Sequence, residues 1–328
     1  VIFGIFAGVA SADDPPAQGL RIATFNTELS RKGPGLLLRD ILRGQAQVQA
    51  VVAVIAEMQP DIVLLQDFDF DHGRQALTAF ADLLRAQGVD YPFVFALRPN
   101  SGRPTGLDLD GDGRLGHARD AQGYGQFSGQ GGMALLSRYP VEEEGVRDFS
   151  PLLWAELPGA EGATRPEVLP DAFREVQRLS AVAHWLVPVA TPKGRVNLLA
   201  FHASPPVFDG PEDRNGYRNA DELRLWLALL AGQLGPVPDG PVVLLGDANN
   251  DPTLGEGQKP PLLALLRHPE LQDPLAAKGP TVNWVQTGPM RVDYVLPSRD
   301  VTVIAAGISD ADPAASRHRL VWVDIKPP

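Results

Sequence analysis

The stretch Val242-Val-Leu-Leu-Gly-Asp-Ala-Asn-Asn-Asp-Pro252 is a short apolar run that stops on a polar turn. Its length, its β-branched start and the Pro and Gly residues around it predict a buried strand rather than a helix. The same arrangement recurs along the chain. Strands are predicted at Arg21–Asn26, Asp61–Gln66, Phe93–Ala96, Gly132–Ser137, Leu179–Val187, Val196–Phe201, Val242–Gly246, Val292–Leu296, Val301–Ala305 and Leu320–Ile325. Helical periodicity predicts helices at Ala46–Met58, Arg74–Gln87 and Ala220–Leu234, with a shorter one at Pro261–Arg267. Strands outnumber helices by more than two to one. That disfavours a doubly wound parallel sheet and favours two packed sheets with helices outside. No internal repeat of short period and no Pro/Gly/Ser linker divides residues 20–328, which read as one domain.

Of the 328 residues, 44% are hydrophobic, enough for a sizeable core and too many for a disordered chain. Lys plus Arg total 29 against 40 Asp plus Glu, a formal net charge of −11. This balance argues against a protein that coats nucleic acid, because such binding needs Lys and Arg to displace counterions. Only five of the 29 basic residues are Lys, and none forms a run. A nuclease stays open, since a catalyst needs only a local basic patch. Cys is absent, which excludes a disulfide framework, a thiolate metal site and a cysteine nucleophile.

Val1–Val9 is apolar, and Ala10-Ser11-Ala12 has the A-x-A form of a signal-peptidase site. Residues 1–12 are therefore expected to be a signal-peptide remnant and 13–19 a linker, which predicts a secreted or periplasmic protein. Twelve residues are too few to span a bilayer as a helix, which takes ~20. No other stretch is long and apolar enough, so no stable membrane insertion is expected. A monomer is expected.

The ends of the apolar runs are the informative feature, because a rigid strand end can hold a ligand in place. Asn26 closes the first run, Gln66-Asp67 the second, His202 the run from Val196, and Asp247-Ala-Asn249 the run from Val242; Asp293 opens the run to Leu296, and His318 precedes Leu320. Each alone is most simply an Asx-turn, a helix cap or a hydrogen-bonded structural His. Together they supply carboxylates, side-chain amides and two imidazoles, the set that holds a hard cation and hydrolyses a phosphate ester.

In this order the segments ATFNTE, PDIVLLQD, GGMALLSRYPV, LLAFHASPP, VVLLGDANNDP, RVDYVLPS and SRHRLVWVDI resemble the endonuclease/exonuclease/phosphatase superfamily, which is DNase I-like. They run from Ala23 to Ile325, nearly the whole chain after the linker. The resemblance implies a four-layer α/β sandwich, two packed mixed β-sheets flanked by helices, with the site at the top edge of the sheets. It implies Asp67 as main ligand of Mg²⁺ or Mn²⁺, with Asn26 on the same side. Asp247 would also reach the metal and, with Asn249, orient the attacking water and the phosphate. His202 would be a general acid. His318, held by Asp293, would pair with a phosphate oxygen or act as general base. The sequence departs from the family pattern twice: Asp67 stands where Glu is usual, and Arg317 where Asp usually precedes the final His.

Asp108-Leu-Asp110-Gly-Asp112-Gly113 reproduces the first half of a Ca²⁺ loop, with carboxylates at positions 1, 3 and 5 and Gly at 6. Position 12 is Arg119, and Asp120 comes one residue late. A structural Ca²⁺ held by Asp108, Asp110 and Asp112 is expected in an insertion near residues 100–130; the bland reading is a solvated acidic turn. Asp69 and Asp71 read as turn residues. Arg214 and Arg218 lie near the start of a helix, where guanidinium and backbone donors can meet a phosphate; pairing with Asp213, Asp221 or Glu222 is the competing reading. Arg178 and His184, six residues apart, are expected on one face of the Leu179–Val187 strand, and Arg178 is a further phosphate ligand. These readings together predict a divalent-metal-dependent phosphoesterase acting on a phosphate ester, with nucleic acid a transient substrate if at all. The alternatives are a catalytically impaired, Ca²⁺-stabilised binding module and, within the enzyme class, a DNase I-like endonuclease.

Overall fold

The computed structural model describes residues 19–326. The expected signal-peptide remnant and residues 13–18 of the linker lie outside the described residues. The first half of the chain runs β1 (Leu20–Asn26), α1 (Leu36–Leu42), α2 (Ala46–Met58), β2 (Ile62–Phe68), α3 (Gln75–Ala86), β3 (Phe93–Phe95), β4 (Gly132–Ser137) and β5 (Arg147–Asp148). The second half runs β6 (Ala183–Thr191), β7 (Gly194–His202), α4 (Arg214–Leu230), β8 (Val242–Asp247), α5 (Pro260–Leu266), β9 (Val282–Trp284), β10 (Gly288–Met290), β11 (Asp293–Pro297), β12 (Val303–Ile308) and β13 (Val321–Ile325). One sheet has the order β12-β13-β1-β2-β4-β3, the other β11-β8-β7-β6-β5, and β9 and β10 form a separate hairpin.

The layers follow from the two-residue period of the strands. In the first sheet Ile22, Ile62, Leu64, Met133 and Leu135 face the second sheet, where Trp185, Val187, Leu198, Ala200, Val243 and Leu245 meet them. The alternate residues Ala23, Phe25, Val63 and Leu65 pack under α1, α2 and α3. On the other side Leu199, Phe201 and Leu244 pack under Trp226 and Leu229 of α4 and Leu262 and Leu265 of α5. Each Val, Leu, Ile, Phe or Met among them contributes about 1.5–3 kcal/mol on burial. The result is the four-layer α/β sandwich.

Two parallel pairs decide where the chemistry falls. β1 pairs with β2 through the α1–α2 crossover, and β7 with β8 through α4. The registers Asn26↔Gln66 and His202↔Asp247 therefore bring the carboxyl ends of four strands to one edge of the sandwich. Asp293, at the start of antiparallel β11, pairs with Asp247 and joins them.

The Leu179–Val187 strand is corrected: β6 starts at Ala183, and Leu179–Val182 is loop. The reason is tertiary, since Ser180 O accepts from Asn100 Nδ2 at 2.8 Å and Ala181 N donates to Glu222 Oε1 at 2.6 Å. Arg178 thus lies outside the strand that carries His184 and shares no strand face with it.

Candidate active site

Asp247 is the hub. It is fully buried, and its carboxylate collects donors from both sheets. Asn26 Nδ2, across the sheet interface, donates to Oδ2 at 2.9 Å; Asn249 N donates to Oδ1 at 2.7 Å and Asn249 Nδ2 to Oδ2 at 3.3 Å. His202 Nε2 stands 3.6 Å from Oδ2. The ends of β1 and β8 turn alike. Asn26 Oδ1 accepts from Glu28 N at 3.2 Å as Asp247 Oδ1 accepts from Asn249 N, two Asx-turns, and each turn ends on a left-handed residue, Glu28 (φ 49°) and Asn249 (φ 49°). Asp67 at the end of β2 is left-handed too (φ 53°). Left-handed non-Gly residues gathered at one edge mark a backbone held by its surroundings.

Asp293 and His318 complete the cluster. The two Asp293 oxygens lie 3.2 and 3.0 Å from His318 Nδ1, and Asp293 Oδ2 also accepts from Thr281 Oγ1 at 2.7 Å. Ligand atoms of Asp247, Asp293 and His318 all fall within 4.8 Å of one another. Trp284 stands edge-on to the His318 ring, centroids 5.7 Å apart.

The environment sorts the protons. Burial first, then the neighbouring Asp293 charge, lifts the Asp247 carboxyl to about 7. Burial alone would lower His318, but the charge and hydrogen bond of Asp293 overcome it and hold the imidazole at about 9. Burial presses His202 down to about 3, with His318 adding to the effect. Burial thus disfavours the imidazolium form of His202, whereas Asp293 favours that form in His318.

Asp67 is half-buried beside Glu28. Burial raises its pKa, only partly offset by Ser30, while the Glu28 charge raises it further. Among the described residues no Arg, Lys or His nitrogen lies within ion-pair distance of Asp67. Gly131 (φ +57°) packs close against it: a Cβ there would sit 2.7 Å from Asp67 Oδ1. A carboxylate raised by burial and without an ion-pair partner suits a hard divalent ion. Arg317 forms no ion pair with Asp67 or Asp293. Its side chain pairs with Glu28 Oε1, and its backbone N–H donates to Glu28 Oε2 at 2.8 Å. Burial alone would raise Glu28, but these bonds hold it below the usual carboxylate range.

Arg218 is corrected as a phosphate ligand. It is buried, and its Nε and Nη2 donate to the carbonyls of Leu179, Gln122 and Arg178, so its guanidinium is used to pin loops together. Arg214, the first residue of α4, donates to Gln177 Oε1 at 3.1 Å and to Leu109 O at 3.4 Å. Arg178 is half-buried, and its Nη1 donates to Asn100 Oδ1 at 2.9 Å; among the described residues it has no carboxylate partner. Asn249 also donates to Ala203 O at 2.9 Å, so its amide braces Asp247 against β7. His184 is a core histidine, its Nδ1 2.7 Å from Ser180 Oγ and its ring stacked on Phe201. Asp69 accepts from Arg31 N and Gly131 N, each at 2.9 Å, and Asp71 caps α3, as turn residues do.

In the acidic loop the expected trio is altered. Asp108, Asp110 and Asp120 bring ligand atoms within 4.8 Å, whereas Asp112 turns to His117 Nδ1 at 3.3 Å. Asp108 Oδ1 accepts from Gly111 N, and Asp120 Oδ1 from Leu109 N. Sequence reasoning missed Thr281, Glu28 and Trp284, which brace Asp293, Arg317 and His318; of these only Glu28 had a visible signal, two residues after Asn26.

Residues 23–318 match the Endonuclease/Exonuclease/phosphatase family. No curated protein matches the chain. Among solved structures, an endonuclease/exonuclease/phosphatase from Beutenbergia cavernae superposes with a TM-score of 0.60 at 21% identity, covering 94% of this chain and 72% of that one. The human Nocturnin catalytic domain with bound sulfate gives 0.53 at 15% identity, covering 94% and 93%. A mannosyl-6-phosphatase from Bacteroides thetaiotaomicron gives 0.50 at 14% identity, covering 93% and 99%. At these identities the likeness is one of fold.

Proposed function

The chain belongs to the Endonuclease/Exonuclease/phosphatase family, and we propose that it is a divalent-metal-dependent phosphoesterase whose centre is Asp247. The observation that carries this reading is the convergence on one buried carboxylate of Asn26 from the first sheet and His202, Asn249 and Asp293 from the second. Asp247, held by Asn26 and Asn249, orients the attacking water and takes its proton. Asn26 and Asn249 fix the carboxylate in place. The His318 imidazolium, aligned by Asp293, stabilises charge building on the phosphoryl oxygens. Neutral His202 contributes an N–H or a lone pair, not a net charge. Asp67, with Asn26 and Asp247, would hold Mg²⁺ or Mn²⁺, which when bound supplies Lewis-acid charge to the phosphoryl oxygens.

Arg178 and Arg214 supply positive charge for the remainder of the substrate. The binding-module alternative gains nothing from Arg317, because that side chain is engaged by Glu28 and Asp293 orients His318 in its stead. Asp108, Asp110 and Asp120 form a separate candidate Ca²⁺ site. Export is proposed from Ala10-Ser11-Ala12 alone; the amino terminus of protein recovered from the medium or periplasm tests it. The central reading is tested with bis-p-nitrophenyl phosphate: hydrolysis should require Mg²⁺ or Mn²⁺, stop with EDTA and vanish in Asp247→Asn. Hydrolysis that persists in EDTA contradicts it.

A further inference from the structure

The reacting groups are buried at the edge where the two sheets meet. Asn26, His202, Asp247, Asp293 and His318 are each at most 9% exposed. Two of the sides are the sheets themselves, with the loops that follow their strands. The other two are crossed by chain.

At the His318 end the crossing is β9. Val282 bridges to His318, Asn283 N donates to Arg317 O, and Arg319 N donates to Thr281 O. This ties the segment leading into β11 of the second sheet to the segment leading into β13 of the first.

At the opposite end the crossing is residues 98–131, the segment between β3 and β4. Toward the first sheet, Gly129 O accepts from Phe70 N at 2.8 Å, Gln130 Nε2 donates to Arg31 O at 2.9 Å, and Gly131 N donates to Asp69 Oδ1 at 2.9 Å. Toward the second, Asn100 N donates to Val182 O at 2.9 Å, and Asn100 Nδ2 donates to Ser150 O at 2.7 Å and Ser180 O at 2.8 Å. Gln122 adds bonds to Val176 O and Arg178 N, each at 2.8 Å. Its two strands hold each other through Gly102 N to Gly123 O at 2.9 Å. The wall meets the loop that leads into β6 backbone to backbone. A Cβ on Gly123 would lie 1.8 Å from Ala181 O, so no strand of a polymer passes between them. Asn100, Ser101 and Gln122 are buried, which makes this wall a part of the core rather than a surface loop.

An internal phosphodiester of a long polymer has chain leaving it on both sides. To reach groups buried between the sheet edges, both flanking stretches must leave along the line on which the sheets meet. Here each end is closed by hydrogen-bonded backbone. A phosphoester on a small molecule, or at the end of a chain, needs one exit only, upward.

Resting on the phosphoesterase reading, we propose that this enzyme acts end-on: its substrates are small phosphoesters or the terminal phosphoester of a chain, and internal phosphodiester bonds are excluded by the 98–131 wall and the β9 crossing. The test uses the full chain with Mg²⁺ or Mn²⁺ on three substrates: bis-p-nitrophenyl phosphate, a linear single-stranded oligonucleotide, and a covalently closed single-stranded circle of the same sequence. Asp247→Asn serves as the control for contaminating nuclease. The small diester should be consumed while the circle is opened at least ~100-fold more slowly, the scale of loss for a misplaced reacting group. Removal of single nucleotides from the linear strand, or no attack on it, agrees equally with end-on action. Opening of the circle at a rate like that of the linear strand, absent in Asp247→Asn, overturns the proposal and leaves the phosphoesterase reading standing. No hydrolysis of any of the three overturns the phosphoesterase reading and the proposal with it.

Discussion

Asn26 Nδ2 donates to Asp247 Oδ2 at 2.9 Å across 221 residues of sequence, and this bond ties the end of β1 to the end of β8 where the two sheets meet at the site. Asn26→Ala leaves a buried carboxylate one donor short, a loss of about 1–3 kcal/mol of stability. The turnover of bis-p-nitrophenyl phosphate should fall by roughly 10²–10³-fold, as when one donor to a reacting group is removed. Urea denaturation beside steady-state rates measures both; a stable variant with unchanged kcat would show that Asn26 is only structural.

The Asp247 carboxyl is raised from its ordinary value to about 7. The folded state thus prefers the protonated form: the stability this group contributes is full below its unfolded value and is lost as pH rises through about 7. Asp247→Asn is always neutral. In EDTA its advantage over the parent should grow from pH 5 to pH 8 by on the order of 2–4 kcal/mol. Urea midpoints at the two pH values check this, and a difference independent of pH counts against it.

His318 shows the opposite chemistry with the same sign. Its folded pKa of about 9 lies above the unfolded one, so the contribution of the pair with Asp293 is complete below about 6.5 and lost as pH rises through about 9. Asp293→Asn should bring the imidazole below 9 and move the alkaline limb of the kcat–pH profile downward by about one unit or more. Proton NMR of the His318 Cε1–H gives the same titration without reliance on activity.

Arg317 neutralises Glu28, whose charge acts on Asp67. Arg317→Ala frees a second carboxylate near Asp67. Divalent-metal affinity should rise several-fold, about 1 kcal/mol, while stability changes by less than ~1 kcal/mol, as for other solvent-exposed ion pairs. Calorimetric titration of the metal-free protein with Mn²⁺ measures it; weaker binding would mean that Arg317 organises the site rather than competing for it.

Ca²⁺ at about 1 mM, within the range of weak extracellular sites, should raise the melting temperature of the parent. The increment should be absent in Asp120→Asn, whose carboxylate is grouped with those of Asp108 and Asp110. An equal increment in both proteins would place the ion elsewhere.

The parts legible in the sequence are those fixed by period and register. Gly132–Ser137 and Ala46–Met58 have the bounds predicted for them, and the polar residues closing β1, β2, β7 and β8 converge because strand pairing leaves them no other place. α1 was hidden: Leu36–Leu42 is only seven residues long and follows Gly33-Pro34-Gly35, which signals a turn. α4 begins at Arg214 rather than Ala220 because its first turns are polar, with no apolar stripe to mark them. The three-residue strands β9 and β10 are too short for any period. Glu28 and Arg317 are 289 residues apart in loops, and no local pattern announces their pairing. Arg218 looked like a ligand because a charge near a helix start is ambiguous until its burial is known.

The two sheets each rest on a separate helical layer, and the reacting groups are divided between them. If warming loosens either layer first, the groups part before the strands come undone. Catalysis should fade at a lower temperature than the circular dichroism of the sheets, leaving a span of temperature in which the protein is folded and silent, and from which cooling restores it.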